Sequence, residues 1–241
     1  PVVVIGACNF PLAISVVGTD TMSALAVGCP VIVKAHPGHP GTCAKLSEIV
    51  KEAAKTSEMP TGTFLLLQGE DHRVSRELVE HPLTKAVAFT GSLKGGRALA
   101  TIAAARNEPI PFYAEMGSLN PLFILPEALR ERSDEIARGY VEAVNLFAGQ
   151  MCTKPGALVL IDGPGLETFL STAIATTRAK LPVAMLNSDI HENYETSSKT
   201  LAEKTELLAE SETSPEISRN EATSRLFATE ARSFLADHEL R

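Results

Sequence analysis

Ala86-Val87-Ala88-Phe89-Thr90-Gly91-Ser92-Leu93-Lys94-Gly95-Gly96 is a short apolar run that stops on glycine and serine and then turns helical. A strand that ends this way lets backbone N–H groups and a helix N-terminus come close to a phosphate. The pattern is not G-x-G-x-x-G, so an ordinary strand-to-helix turn is an equally good reading of these residues alone. The same rhythm runs outward from it. Val2-Val3-Val4-Ile5 reads as a buried strand, and 11–27 has helical length before Gly28. Val31-Ile32-Val33 is a second strand, followed by the turn-forming stretch 34–41 and a helical pattern over 42–57, with Leu46, Ile49, Val50 and Ala53 on one face. Phe64 to Leu67 is a third strand, 71–80 a short helix, and 94–106 the helix that follows the opening stretch. Short apolar strands alternating with helices predict a Rossmann-like α/β fold, its parallel sheet covered on both faces.

The rhythm changes near Phe112. Strands over 111–114 and 122–125 have no helix between them, and a long helix is expected over 129–147. It leads into Gly149-Gln150-Met151-Cys152-Thr153-Lys154-Pro155-Gly156, and 157–161 is another strand. This predicts two domains, 1–115 with the parallel sheet and 116–241 as part of a second α/β domain. Beyond about residue 185 the chain is rich in Glu, Ser and Thr, which predicts an exposed helix over 190–210 and a loop over 211–225.

The 241 residues are 44% hydrophobic, enough for a sizeable core, and the net charge of -7 argues against nucleic acid or an anionic membrane as the main partner. No apolar run approaches the ~18 residues of a membrane span. Cys8, Cys29, Cys43 and Cys152 form no CxxC pair and have no metal-ligand spacing with the six histidines. Such usage fits a reduced, cytoplasmic protein better than a disulfide scaffold, with no metal expected. The chain opens directly on a strand and stops at Glu239-Leu240-Arg241 without a tail, and it reads as a piece of a larger protein.

Several residues have the right chemistry in the right place, each beside a plainer account. Cys152 lies in a loop between regular elements, where a thiolate can meet a small molecule, though a free Cys is more often a core residue. Lys34 ends a strand at the carboxyl edge, where its ammonium can bond ribose hydroxyls, or it is a solvated lysine. His36 and His39 are better read as loop histidines than as metal ligands. Glu115 follows a strand and precedes Met116-Gly117, placed for a general base or an ordinary cap. Asn9 follows the first strand, where its amide can donate to an oxyanion or cap a helix.

Taken in order, Ala7-Cys8-Asn9-Phe10-Pro11-Leu12, Val31-Ile32-Val33-Lys34, Phe89-Thr90-Gly91-Ser92, Glu115-Met116-Gly117-Ser118-Leu119-Asn120-Pro121 and Gly149-Gln150-Met151-Cys152 resemble the aldehyde dehydrogenase superfamily. These motifs recur in the family's order and at about its spacings. Lys34-Ala35-His36-Pro37, Pro111-Phe112-Tyr113-Ala114-Glu115-Met116 and Cys152-Thr153-Lys154-Pro155-Gly156 look like its α-ketoglutarate semialdehyde and fatty aldehyde dehydrogenase branch.

The resemblance implies a nucleophile at Cys152, an oxyanion donor at Asn9 with the backbone N–H of Cys152, and a water-activating base at Glu115. It implies a cofactor, NADP or NAD, with Lys34 at the adenosine ribose, His36 beside it, and Gly91, Ser92 and Gly96 at the pyrophosphate. The activity implied is oxidation of a small-molecule aldehyde to a carboxylic acid through a cysteine thiohemiacetal and thioester, with α-ketoglutarate semialdehyde to α-ketoglutarate expected. The parent protein is expected to be a homo-oligomer. Two departures matter. Many NAD-preferring relatives have a glutamate three residues after the lysine; here it is Pro37, so NADP is expected to be accepted. The chain is also about half the family's length and stops before its Glu-x-Phe-Gly-Pro motif. A CoA-acylating or fatty aldehyde dehydrogenase, or a fragment inactive by itself, are the alternatives.

Overall fold

The structure is a computed structural model that describes residues 1–213 and 220–240. It divides into two units, Pro1–Gly117 and Ser118–Arg241.

In the first unit, strands β1 (Val2–Ile5), β2 (Val31–Lys34), β3 (Phe64–Leu67), β4 (Ala86–Gly91) and β5 (Phe112–Met116) form one sheet in the order β3-β2-β1-β4-β5. All neighbouring pairs are parallel. The helices α1 (Thr19–Ala26), α2 (Pro40–Thr56), α3 (Arg73–Glu80) and α4 (Leu93–Ala104) make the crossovers.

The two-residue period of the strands divides their side chains between two cores. Val4, Val31, Val33 and Ala88 pack with Cys43 and Val50 of α2 and with Ala24 and Leu25 of α1. Val3, Ile5, Val87 and Phe89 pack on the other face with Leu78 and Val79 of α3 and Leu99 and Ala103 of α4. Burying each Val side chain contributes roughly 1.5–3 kcal/mol, so the β-branched runs that favour extended backbone also supply the main packing energy. At the amino edge, Arg106 closes the α3–β4 connection by donating to the carbonyls of Val79, His81 and Thr84.

Two expectations for this unit change. The helix expected over 11–27 begins only at Thr19. Residues before it fold back over the end of β1, with Ile14 N–H donating to Phe10 O at 3.0 Å. Gly6 and Gly18 permit this: a Cβ on Gly6 would lie 2.6 Å from the Ile14 carbonyl, and one on Gly18 2.6 Å from that of Ala13. On α2 the buried stripe is Cys43, Ser47 and Val50, with Leu46 partly buried, while Ile49 is 55% exposed and Ala53 is exposed. The small Cys and Ser side chains let that face of the helix sit close to the sheet.

In the second unit, β6 (Pro121–Ile124) pairs in parallel with β7 (Ala157–Leu160). The connection runs through α5 (Pro126–Asn145) and a 3-10 turn at Leu146–Gly149, and α6 (Leu166–Arg178) follows β7. Leu129, Ala137 and Val141 of α5 and Phe169 and Ala173 of α6 enclose a core with Ile124, Leu158 and Leu160. Then come β8 (Val183–Ala184), α7 (Ser188–Lys204), β9 (Glu206–Glu210), β10 (Glu221–Ala222), β11 (Arg225–Ala228) and α8 (Ala231–Ala236). β8 pairs with β10 and β9 with β11, both antiparallel.

The helix expected over 190–210 therefore stops early. Thr205 ends it, and Glu206-Leu207-Leu208-Ala209-Glu210, all helix formers by propensity, is drawn into a strand by pairing with β11. Of the loop expected over 211–225, residues 214–219 lie outside the described residues, while Glu221–Ala222 is a short strand and Arg225 begins β11. Among the described residues no helix is long and apolar enough to cross a membrane.

Candidate active site

The parallel register brings most of the first unit's candidates to one edge of the sheet. Lys34 ends β2 opposite Ile5, the last residue of β1, and Glu115 on β5 lies opposite Thr90 of β4. Asn9 follows β1 in a half-buried loop, and Gly91-Ser92 closes β4. This is the carboxyl edge, where ligands bind in open α/β sheets.

Lys34 is 7% exposed, and burial pushes its ammonium below the usual lysine range, partly offset by the nearby Asp71 carboxylate and Cys43 thiol. Among the described residues that ammonium has no hydrogen-bond or ion-pair partner, so it is a desolvated donor at the strand end. His36 accepts a hydrogen bond at Nδ1 from Gly38 N–H at 3.0 Å, and its ring stacks on that of His39. Burial first, then His39 and Lys34, lower its pKa to about 4. At neutral pH the ring is uncharged and keeps its proton on Nε2, so it offers a neutral donor and leaves Lys34 as the cation beside it.

His39 Nδ1 and Cys43 Sγ lie 3.1 Å apart, with Ser15 Oγ 3.7 Å from the same sulfur. Cys43 is fully buried, so these contacts hold the start of α2 in place.

Ser92 is the N-cap of α4: its Oγ accepts from Gly95 N–H at 3.1 Å. That cap satisfies one of the first-turn N–H groups and leaves the helix end facing the edge. Gly91 and Gly96 are glycines for packing reasons that the sequence did not reveal. A Cβ on Gly91 would lie 2.7 Å from the Phe89 ring, and one on Gly96, inside α4, would overlap Met116. Gly117 N–H bonds Gly91 O at 2.9 Å and ties the turn to the end of β5.

Glu115 is exposed near that junction. Asp20, in the first turn of α1, is a nearby carboxylate that sequence reasoning passed over. Burial, then the negative charge of Glu115, raises its pKa. The only signal for it was an acidic residue at a helix start.

The second unit holds Cys152, a free, half-buried thiol in a tight turn. Two features define the backbone around it. Upstream, Phe147, Ala148 and Gly149 have φ of 52°, 55° and 69°, a left-handed run that L-residues adopt only under constraint. Gln150 braces it, with Nε2 donating to Phe147 O and Oε1 accepting from Leu186 N–H, each at 3.0 Å. Downstream, Gly156 N–H donates to Leu119 O at 2.8 Å, and Asn120 reaches into the turn with its side-chain amide. Burial lowers the pKa of Lys154, two residues beyond Cys152. Burial pushes the thiol of Cys8, beside Asn9, up, which disfavours a nucleophilic thiolate there.

Residues 1–191 match the model of the aldehyde dehydrogenase family, and the chain belongs to that family. It is 50% identical over 204 residues to alpha-ketoglutaric semialdehyde dehydrogenase 2 of Azospirillum brasilense, covering 84% of this chain and 39% of the relative. Against the structure of Thermus thermophilus 1-pyrroline-5-carboxylate dehydrogenase the TM-score is 0.81 at 24% identity, covering 99% of this chain and 47% of that one. The glyceraldehyde-3-phosphate dehydrogenase GapN of Methanocaldococcus jannaschii, solved with NADP, superposes with a TM-score of 0.76 at 20% identity, covering 99% and 52%. The chain thus spans about two fifths of the length of the curated relatives it matches.

Proposed function

We propose that this chain carries the dinucleotide-handling and nucleophile-bearing parts of an NAD(P)-dependent aldehyde dehydrogenase that oxidises α-ketoglutarate semialdehyde to α-ketoglutarate. The observation that carries the substrate is the 50% identity to a relative named for it. Lys34, a buried residue at the end of β2, and the capped glycine-rich turn at Gly91-Ser92 fit a ribose and a diphosphate at the carboxyl edge. Pro37 in place of an acidic residue leaves nothing there to repel a 2′-phosphate, so NADP is accepted as well as NAD.

In this reading the Cys152 thiolate adds to the aldehyde carbon. The resulting oxyanion is stabilised by the Asn9 amide and the Cys152 backbone N–H, preorganised donors of the kind that strengthen as charge develops. The chemistry that a bound nicotinamide supplies is acceptance of hydride, which leaves a thioester on Cys152. Glu115 then takes a proton from water, hydroxide attacks the thioester carbonyl, and Cys152 departs as thiolate with the carboxylate product released. His36 would help hold the cofactor by donating from its neutral ring, and Gly96 lets α4 pack closely against Met116 behind the Gly91-Ser92 turn. The reading extends to a reduced cytoplasmic setting, supported by four free cysteines, and to a homo-oligomeric parent protein.

The test is NADPH formation by the natural full-length polypeptide with α-ketoglutarate semialdehyde and, separately, a long-chain aldehyde. Turnover of the semialdehyde that Cys152→Ala abolishes is expected. A preference for the long-chain aldehyde, or undiminished turnover in Cys152→Ala, would overturn the reading.

A further inference from the structure

Asn120 joins two stretches that are far apart in sequence. It precedes Pro121 at the start of β6, and its backbone is left-handed at φ 47°, a conformation Asn tolerates better than other side chains that carry a Cβ. Pro121 pairs with Ala157, so Asn120 lies where the chain arrives from the Cys152 turn. Its Nδ2 donates to the Cys152 carbonyl at 2.5 Å and to the Lys154 carbonyl at 2.9 Å. Both N–H donors of the amide are used, and both go to the turn that holds the cysteine. Beside it, a Cβ on Gly156 would lie 2.9 Å from Leu119 O, so Gly156 is what lets the two stretches approach this closely.

We propose that Asn120 is the positioning residue of the nucleophile. The inference rests on the reading of Cys152 as the group that attacks the aldehyde. By holding the carbonyls of Cys152 and Lys154, one amide fixes the Cys152–Thr153 and Lys154–Pro155 peptide planes. The first of these planes contains the Cα of Cys152, so the origin of its side chain follows from that anchorage. Gln150 and the left-handed run at Phe147–Gly149 hold the other side of the turn. Asn120 touches neither substrate nor cofactor in this role; it acts through the turn.

Asn120→Ala removes both bonds, and Asn120→Asp keeps the shape while replacing the donors with acceptors that repel the carbonyls. In the natural full-length protein, with α-ketoglutarate semialdehyde and NADP, both variants are expected to lower kcat roughly 10- to 100-fold, the scale of a small misplacement of a reacting group. The aldehyde KM and the rate of iodoacetamide alkylation of Cys152 are expected to stay within about threefold, because neither needs the thiol held in its productive orientation. A kcat loss of less than about threefold in both variants would overturn the proposal. So would a kcat loss matched by equal changes in KM and alkylation, which would mark general disorder of the turn. Cys152→Ala separates the two readings: if that variant turns over normally, the nucleophile reading fails, whatever Asn120 does.

Discussion

The two parallel arrangements in this chain are built to different standards of enclosure. In the first unit each central strand serves two cores at once, with Val3 and Val4 both fully buried on opposite faces of β1. In the second, β6 and β7 bury only the side that carries Ile124, Leu158 and Leu160, and among the described residues they pair only with each other. Their register partners Phe123 and Val159 are 65% and 39% exposed. Parallel strands are ordinarily covered on both faces. Rigidity in the first unit comes from a doubly covered sheet, whereas the Cys152 turn depends on particular hydrogen bonds from Asn120 and Gln150.

The largest effect that tests this contrast is a cavity in the single covered core of the second unit. Phe169 is 2% exposed between α5 and α6, and Phe169→Ala is expected to cost about 3–5 kcal/mol, read by urea unfolding. A loss below about 1 kcal/mol would show that this core does not hold the unit together.

Next in size is a pH effect confined to the first unit. Folding lowers the proton affinity of His36 from its ordinary 6.5 to about 4. The unfolded chain therefore binds more protons in that window. The stability linked to His36 is complete above pH 6.5 and is lost as pH falls toward 4, by at most about 1.4 kcal/mol per pH unit. His36→Asn should flatten the urea midpoint between pH 4.5 and 6.5, and an unchanged slope would refute the assignment.

The smallest effect sharpens the contrast from the other side. Phe123→Ser on the open face of β6 should change stability by no more than about 0.5 kcal/mol. A cost of several kcal/mol would mean that this face is covered.

Much of the first unit was legible because its first four strands are short apolar runs, β-branched in β1 and β2, and its turns carry Gly, Pro and Ser, signals that are local. The carboxyl-edge rule placed Lys34, while Gly91 and Glu115 were legible only as residues at strand ends, and the parallel register brings them to the same edge. What escaped depends on contacts distant in sequence. The late start of α1 depends on how closely Gly6 and Gly18 approach the backbone of Ala13 and Ile14. The strand at β9 exists because β11 pairs with it, against the helical preference of its own residues. The clasp from Asn120 to Cys152 spans 32 residues and leaves no spacing pattern to find.

The central claim is that Cys152 bears the acyl group and Glu115 activates the water that removes it. Glu115→Gln in the full-length protein, mixed with α-ketoglutarate semialdehyde and NADP and then acid-quenched, should accumulate the thioester. Peptide mapping by mass spectrometry is predicted to find the acyl group on the Cys152 peptide, and to lose it when Cys152→Ala is added. An acyl group on Cys8, Cys29 or Cys43, or no adduct despite a burst of NADPH, would contradict the account.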